Sequence, residues 1–190
     1  MGKVVVSQFV TVDGVVEDPG GSEKFERGGW AFEFARGDEG DKFKLDEVMA
    51  AGALLLGRKT YEGFAAAWPG RTDSVGFADK FNNMPKYVFS STLEEPEWAN
   101  SHVLGDDLAA EVSRLKDEVD GDLLVNGSIQ LVHALAEAGL VDEWRLMVFP
   151  VVLGAGKKLF PVEGPKAPLN LTQSQSVGDG VQILVYTPKA

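Results

Sequence analysis

The chain has 190 residues, of which 44% are hydrophobic and 25% are charged. These proportions are typical of a globular protein and far from those of a disordered chain. The length supports one well-buried core but is short for two domains with a linker, so we predict a single domain over residues 1–190. The formal net charge of -11 argues against nucleic-acid binding, because the basic residues are not gathered together.

Several site classes are excluded by what the sequence lacks. There is no cysteine, which removes disulfides, thiolate metal ligands and a cysteine nucleophile. His102 and His133 are isolated from each other and from acidic partners, so we expect no bound metal. The first apolar run is too short for a signal sequence, and no window approaches the roughly 18 apolar residues of a membrane helix. We therefore expect a cytoplasmic protein that does not enter a membrane.

Short apolar runs bounded by Gly, Pro, Asp or Ser alternate with amphipathic stretches along the chain. This pattern predicts an α/β fold with a mostly parallel sheet and helices on both faces. The predicted strands are residues 4–10, 53–56, 87–89, 123–125 and 144–153.

Apolar residues at helical spacing predict two helices between these strands. Residues 108–119 carry one such stripe, and Ile129, Val132 and Leu135 form the other. Ser128 is the expected N-cap of the second helix, and Gly139 is expected to end it.

Two other segments have a different character. Residues 169–177 and 181–187 flank Gly178-Asp179-Gly180, which predicts a C-terminal antiparallel hairpin. Residues 17–40 are rich in Gly and acidic residues but include four aromatic side chains, so we predict a mobile loop with aromatic anchors.

A phosphate-binding turn is predicted directly after the second strand. It reads GRKT at residues 57–60 and opens a predicted helix, so backbone N–H groups, a helix N-terminus and two cations come together. The alternative is that Arg58 and Lys59 are solvated side chains in an ordinary turn. The four residues alone favour this alternative.

Two further turns reverse that judgement. SST at residues 90–92 follows the third predicted strand, and NGS at residues 126–128 follows the fourth. Each alone is open to another interpretation, as a capping segment or as a tight turn with an N-cap. Open α/β sheets bind ligands at the carboxyl ends of their strands. The three turns together therefore predict an elongated anionic ligand, such as a dinucleotide.

The same segments carry a family resemblance over essentially the whole chain. LLLGRKTYE at residues 54–62, VFSS at 88–91, VNGS at 125–128 and LGAGKKLFP at 153–161 resemble the dihydrofolate reductase superfamily. Within it the sequence is most similar to the reductase-domain branch related to riboflavin biosynthesis, which also has a motif like TVDG at residues 11–14 after its first strand.

The resemblance implies a dihydrofolate-reductase-like fold, NADPH as cofactor and a homodimer. In the family the GRKT and Ser-Ser turns hold the pyrophosphate and the 2′-phosphate of NADPH, and the turn at residues 126–127 matches the pyrophosphate turn. The implied cofactor-binding residues are Gly57, Arg58, Lys59, Thr60, Ser90, Ser91, Thr92, Asn126, Gly127, Ser128 and Ile129.

Three residues are candidates for substrate binding or proton relay. Asp13 follows the first strand, with the alternative of an ordinary turn residue before a left-handed Gly14. Asp41 lies where dihydrofolate reductases carry the acid that binds the pterin, with the alternative of a solvated helix residue. Trp30 is the candidate for stacking on the substrate ring.

We therefore predict an NADPH-dependent reductase of a small heterocycle of pterin or aminopyrimidine type. One rival is a nucleotide-binding or sensing module on the same fold without catalysis, since no strong general acid stands out. A second rival is a reductase of a ribosylaminopyrimidine phosphate, which needs extra cations near the substrate. Lys24, Arg27 and Arg36 are the loop cations available for that purpose.

Overall fold

Runs rich in valine and leucine form strands where the sequence predicts them. The computed structural model describes residues 2–105 and 107–189. The strands of this part of the chain are β1 (Val4–Thr11), β2 (Ala51–Gly57), β3 (Lys86–Phe89), β4 (Ser101–Leu104), β5 (Asp122–Asn126), β6 (Glu143–Phe149), β7 (Leu169–Val177) and β8 (Val181–Pro188). The α-helices are α1 (Gly37–Ala50), α2 (Arg58–Ala67), α3 (Phe77–Asn83), α4 (Leu108–Glu118) and α5 (Ile129–Glu137), and Trp30–Glu33 is a 3₁₀ helix.

The sheet is mixed, as predicted. Among the described residues its strands follow the order β4-β3-β2-β5-β1-β6-β8-β7. Strand β2 pairs in parallel with β3 and β5, and β3 pairs in parallel with β4. Strands β6, β8 and β7 pair antiparallel. The predicted α/β class with a C-terminal antiparallel hairpin is confirmed.

The chain divides into two compact units. The first contains residues up to Val5 and Lys44–Val141, and the second contains Val6–Phe43 and the residues from Asp142 onward. Two of the three boundaries fall inside β1 and α1, and the third lies in the short connection between α5 and β6. The single domain remains a prediction from chain length.

Each unit has its own apolar core. In the first, Leu54 and Leu56 of β2 pack with aromatic residues that include Phe81 and Trp98. In the second, Phe149 is fully buried and contacts the rings of Phe9, Trp30 and Phe34 edge-on. Burial of such large side chains is worth roughly 1.5–3 kcal/mol each.

Four elements differ from the sequence prediction. Strand β6 ends at Phe149 and not at residue 153, because Pro150 has no N–H to donate to a neighbouring strand. Helix α1 begins inside the predicted loop, at Gly37. Helix α3 and strand β4 are seven and four residues long, too short for a clear periodic signal.

The predicted end of α5 at Gly139 is confirmed. This glycine has a left-handed φ of 66°, which suits a residue without a Cβ atom. The N–H of Leu140 donates to the carbonyl of Leu135 at 2.9 Å. This six-residue closure satisfies a carbonyl of the last turn. No helix of the described residues has the length and apolarity that a membrane crossing requires.

One buried cation in the first unit was not predicted. Lys86 has no solvent exposure, although it is the first residue of β3. Its Nζ donates to the carbonyls of Asn82 and of Ala99, the latter at 2.9 Å, and lies 4.2 Å from the centre of the Trp98 ring. Burial lowers the pKa of Lys86 from its ordinary 10.5 to about 8.

Because Lys86 is buried, the free energy of unfolding varies with pH in the alkaline range. Between about 8 and 10.5 the unfolded chain binds more protons at Lys86 than the native chain does, so the free energy of unfolding rises with pH in this window. Urea unfolding of wild type and Lys86→Met from pH 7.5 to 10.5 measures the effect. We expect wild type to gain stability relative to the variant as pH rises. The control is Lys166→Met, which removes an exposed lysine, and its difference from wild type in the free energy of unfolding should not change with pH. A difference between wild type and Lys86→Met that stays constant over this pH range would contradict the prediction.

Candidate functional sites

The three predicted turns follow neighbouring parallel strands of the first unit. Gly57 at the end of β2 is paired in register with Phe89 at the end of β3. Leu54 of β2 is paired with Leu124 of β5, so these two strands reach their turns at the same height along the sheet. The turns at 57–60, 90–92 and 126–128 therefore lie at one edge of the sheet, as predicted.

Two hydroxyl groups join the first of these turns to the third. The Gly57 N–H donates to Ser128 Oγ at 2.9 Å, and the Ser128 N–H donates to Thr60 Oγ1 at 2.8 Å. Gly127 has a left-handed φ of 63°, and a Cβ atom there would lie 3.0 Å from Thr60 Cγ2. The close approach thus favours glycine, and the two turns form one cross-linked unit.

The helices that follow these turns lack side-chain caps in the part of the chain that is described. Gly57 is the N-cap of the ten-residue helix α2 and has no side chain. Ser128 is the N-cap of α5, as predicted, but its backbone is left-handed at φ 51° and its hydroxyl serves Gly57 instead of the helix. The first-turn N–H groups of both helices keep their partial positive charge for another acceptor. Such an arrangement suits an anion.

Two cations stand at the start of α2. Arg58 Nη1 lies 2.9 Å from Glu62 Oε1, and these side chains are 43% and 48% exposed. An exposed pair of this kind is worth only about 0.3–0.5 kcal/mol. Arg58 therefore gives up little by exchanging Glu62 for a phosphate. Lys59 is exposed beside it.

The turn after β3 is built around one serine. Ser90 Oγ accepts hydrogen bonds from the N–H groups of Thr92 at 3.1 Å and Leu93 at 3.0 Å. Ser90 Oγ thus stabilises the turn locally, as the capping alternative predicts, and a role of Ser90 toward a ligand stays a prediction. Its hydroxyl proton and the exposed hydroxyl of Ser91 are the groups left to meet a ligand.

A pocket of about 420 Å³ lies within the second unit. Its walls include Phe9, Phe32, Phe34, Arg36, Asp38 and Asp41. Arg36 Nη2 is 2.7 Å from Asp41 Oδ1, and the guanidinium carbon lies 5.3 Å from the centre of the Phe9 ring. Aromatic walls with a few polar groups are typical of sites for small flat molecules.

Asp13, also in the second unit, holds two chain segments together. Its Oδ1 accepts from Thr11 Oγ1 at 2.6 Å and from the Leu153 N–H at 3.2 Å. Its Oδ2 accepts from the Gly154 N–H at 2.9 Å and lies 3.3 Å from Lys158 Nζ. Burial raises the pKa of Asp13, but these hydrogen bonds outweigh it and hold the pKa well below its usual range. Asp13 is therefore ionised near neutral pH.

Comparison with sequence models of protein families identifies the family of this chain. The sequence model of the RibD C-terminal domain matches residues 2–183. The chain is a member of the RibD C-terminal domain family.

Relatives of this RibD C-terminal domain protein agree in length and fold. YyaP of Bacillus subtilis strain 168, described as uncharacterized, is 27% identical over 187 residues, covering 97% of this chain and 94% of YyaP. A putative riboflavin biosynthesis protein from Shewanella sp. PV-4 is 20% identical with a TM-score of 0.79 and full coverage of both chains. Dihydrofolate reductase from Enterococcus faecalis, complexed with NADP(H), is 16% identical with a TM-score of 0.59, covering 100% of this chain and 98% of the reductase. The predicted dihydrofolate-reductase-like fold is confirmed.

Trp30 occupies a core position in this family member. It is 1% exposed, its Nε1 donates to the Glu17 carbonyl at 2.9 Å, and its ring packs on Phe149. It is thus an anchor of the loop, as predicted, but offers no open face for stacking on a substrate. Phe32, which is 81% exposed at the pocket, has such a face.

Sequence reasoning missed the partners that fix these residues. Arg36 and Asp41 are five residues apart, on either side of the predicted end of the loop at residue 40, so no helical spacing indicated their pairing. Lys158 was quoted within the LGAGKKLFP segment without a role, and the structure joins it to Asp13. Groups of three or more His, Asp or Glu placed to hold a metal ion are absent from residues 2–105 and 107–189. The absence of a metal requirement stays a prediction.

Removal of the Ser128 hydroxyl tests the link between the turns. Ser128→Ala deprives the Gly57 N–H of its acceptor, and we expect a loss of about 1 kcal/mol in the free energy of unfolding. The matched control is Ser113→Ala on the exposed face of α4, which should change stability by less than about 0.5 kcal/mol. Equal effects of the two substitutions in urea unfolding would show that the hydroxyl does not join the turns.

Replacement of Asp13 tests the ionised carboxylate. The amide introduced by Asp13→Asn keeps one acceptor oxygen and loses the charge facing Lys158, so this substitution should cost roughly 1.5–3 kcal/mol at pH 7. Because the native pKa is lowered, the stability that Asp13 contributes is complete above the unfolded pKa of about 3.9 and is lost as pH falls below it. Thermal unfolding at pH 7 and pH 3 should show the gap to wild type shrinking in acid, while the exposed control Asp117→Asn shows no such gap at pH 7. A gap that widens in acid would contradict this account.

Proposed function

We propose that this protein is an NADPH-dependent reductase of a small heterocycle of the pterin or aminopyrimidine type. The observation that carries the proposal is the pair of uncapped helix N-termini, α2 and α5, joined by Thr60, Ser128 and Gly57. This arrangement occurs in a member of the RibD C-terminal domain family. A reductase needs both a site for a dinucleotide cofactor and a pocket for a flat substrate, and each unit offers one of these.

The first unit would hold the cofactor through donors that already exist. The first-turn N–H groups of α2, from Arg58 to Thr60, and those of α5 after Ser128 would donate to the pyrophosphate. Close contact with the backbone would be possible at Gly57 and Gly127, where no side chain intervenes. Asn126 and Ile129 flank this contact in the chain. The fit of the residues to NADPH rests on these amides and not on a metal.

The 2′-phosphate would be recognised by side chains of the first two turns. Arg58 and Lys59 supply charge, and Ser90, Ser91 and Thr92 lie on the neighbouring turn. A charge-assisted hydrogen bond to phosphate is about twice as strong as a neutral one. We therefore propose a preference for NADPH over NADH. When bound, NADPH supplies the hydride, which is the chemistry that the side chains of the protein lack.

The second unit would bind the substrate in its aromatic pocket. Phe32 and Phe34 are suited to contact a flat ring, and Asp41 is suited to accept hydrogen bonds from its amino groups. The stacking role proposed for Trp30 passes to Phe32, because Trp30 is buried. Asp13 is proposed as a positioning residue, since its ionised carboxylate holds no proton near neutral pH.

One observation favours a second candidate function, a nucleotide-binding or sensing module without catalysis. Every carboxylate oxygen of Asp13 is already engaged with donors of its own unit, so the most prominent acid after β1 is unsuited to donate a proton. Oxidation of NADPH in the presence of pterins and aminopyrimidines separates the two functions. Binding of NADPH without any turnover would favour the module.

Two further proposals do not depend on the site. We propose that the protein is a homodimer, which rests on the family resemblance alone, and that it acts in the cytoplasm, which rests on the expectation from the sequence. Analytical ultracentrifugation tests the first of these, and a molar mass of one chain at micromolar concentration would exclude it.

Arg58 provides the sharpest test of the cofactor site. Arg58→Ala should weaken NADPH binding by about 1.5–3 kcal/mol, which is roughly tenfold to over a hundredfold in Kd. The control is Glu62→Ala, which breaks the same ion pair but leaves the cation in place. Calorimetry should show unchanged or tighter NADPH binding for Glu62→Ala. A change below about twofold for Arg58→Ala, with the melting temperature intact, would end the assignment of this turn to the cofactor.

A further inference from the structure

The single cation in the wall of the second-unit pocket is already neutralised. Of the lining residues, Arg36 is the only basic one, and Asp38 and Asp41 are acidic. The 2.7 Å contact between Arg36 Nη2 and Asp41 Oδ1 engages the guanidinium from one side. The Phe9 ring, 5.3 Å from the guanidinium carbon, engages it as well. The lining therefore carries a net negative charge.

The start of α1, next to this pocket, is also occupied by acids. The N–H of Ala35 donates to Asp179 Oδ2 at 2.8 Å, and the N–H of Asp179 donates to the Ala35 carbonyl at 2.8 Å. Gly178 fits this contact because a Cβ atom there would lie 1.9 Å from the Ala35 oxygen. Asp38 and Glu39 add two further acids in the first helical turn. The positive end of the helix dipole is thus matched by carboxylates of this unit.

Three other cations of the second unit contact groups outside the pocket wall. Arg27 Nη1 donates to the Leu153 carbonyl. Lys157 Nζ lies 2.9 Å from Glu17 Oε1, and Lys158 Nζ lies 3.3 Å from Asp13 Oδ2. Neither Arg27 nor the two lysines line the pocket in the described residues.

A phosphate group would enter this pocket at an electrostatic disadvantage. It carries close to two negative charges at neutral pH, and carboxylates closer than the Debye length of about 8 Å repel it. The Arg36–Asp41 contact is itself weak, because the Asp41 side chain is 64% exposed. The disadvantage comes from the charge, since the carboxylates of Asp38 and Asp41 would remain beside a phosphate bound to Arg36. A neutral or cationic ring meets no such cost.

We propose that the pocket selects an unphosphorylated flat heterocycle, neutral or cationic, and that the negative charge of Asp41 beside Arg36 determines this specificity. The inference rests on the proposed function, because it takes this pocket as the substrate site. It separates the pterin or free aminopyrimidine from the ribosylaminopyrimidine phosphate that the sequence left as a rival. Asp41 is a specificity residue in this scheme and has no part in hydride transfer.

Matched ligand pairs test the selection by binding alone. The probes are 7,8-dihydroneopterin with its monophosphate, and 5-amino-6-(ribosylamino)uracil with its 5′-phosphate, titrated calorimetrically into the full chain with and without NADPH. We expect the unphosphorylated member of at least one pair to bind about tenfold or more tightly than its phosphate, a difference of about 1.4 kcal/mol. Equal affinities, tighter binding of the phosphates, or no binding of either pair at millimolar concentration would overturn the inference.

Two variants tie the selection to the named residue. In Asp41→Asn the freed Arg36 should raise the affinity for the phosphorylated members by about tenfold or more and leave the affinity for the others unchanged or weaker. The control Asp117→Asn, an exposed acid on α4, should alter neither. Unchanged phosphate discrimination in Asp41→Asn, with an unchanged melting temperature, would remove Asp41 from the account.

Failure of the proposed function has a different signature. If NADPH does not bind but the ligand pairs are still discriminated, the cofactor assignment is wrong and the charge selection of the pocket stands. If NADPH binds and the pairs are not discriminated, the selection is wrong and the cofactor site stands.

Discussion

The candidate cofactor site depends on the parallel register of β3, β2 and β5. Because Gly57 is level with Phe89, and Leu54 with Leu124, three strands deliver their turns to one edge of the sheet. The hydrogen bonds of Ser128 with Gly57 and Thr60 then fix two of these turns against each other. A shift of one residue between β2 and β5 would separate these partners by about 3 Å. The helix N-termini are therefore set by the sheet before any ligand binds.

The second unit is organised by carboxylates that find donors within it. Asp13 gathers Thr11, Leu153 and Gly154, and Asp179 closes the hairpin tip onto Ala35. In each case an acid accepts backbone N–H groups that a loop would otherwise leave to water. Carboxylates near the pocket therefore hold loop segments in place and also make the surroundings of the pocket negatively charged. In the first unit, by contrast, Arg58 is exposed at a helix start with Glu62 as its partner, and Lys59 is exposed beside it.

The sequence predicted the ends of β2, β3 and β5 to within two residues, because buried strands are short apolar runs with glycine or polar residues directly after them. The turns at 57–60, 90–92 and 126–128 followed from this, as did the hairpin around Gly178. It did not predict the burial of Lys86 or Trp30, because burial of one side chain depends on residues that are distant in the chain. The 2.7 Å pairing of Arg36 with Asp41 was hidden for another reason. Helix α1 is rich in charged residues and has no apolar stripe, so its start was assigned to a loop.

A crystal structure of the protein with NADPH would locate the cofactor phosphates without reference to any substrate. We expect the pyrophosphate within hydrogen-bond distance of first-turn N–H groups of α2 and α5, with the 2′-phosphate beside Arg58 or Lys59 and the Ser90 turn. Cofactor density at another place in the first unit, or crystals soaked in millimolar NADPH that show the phosphates away from both helix N-termini, would contradict this expectation.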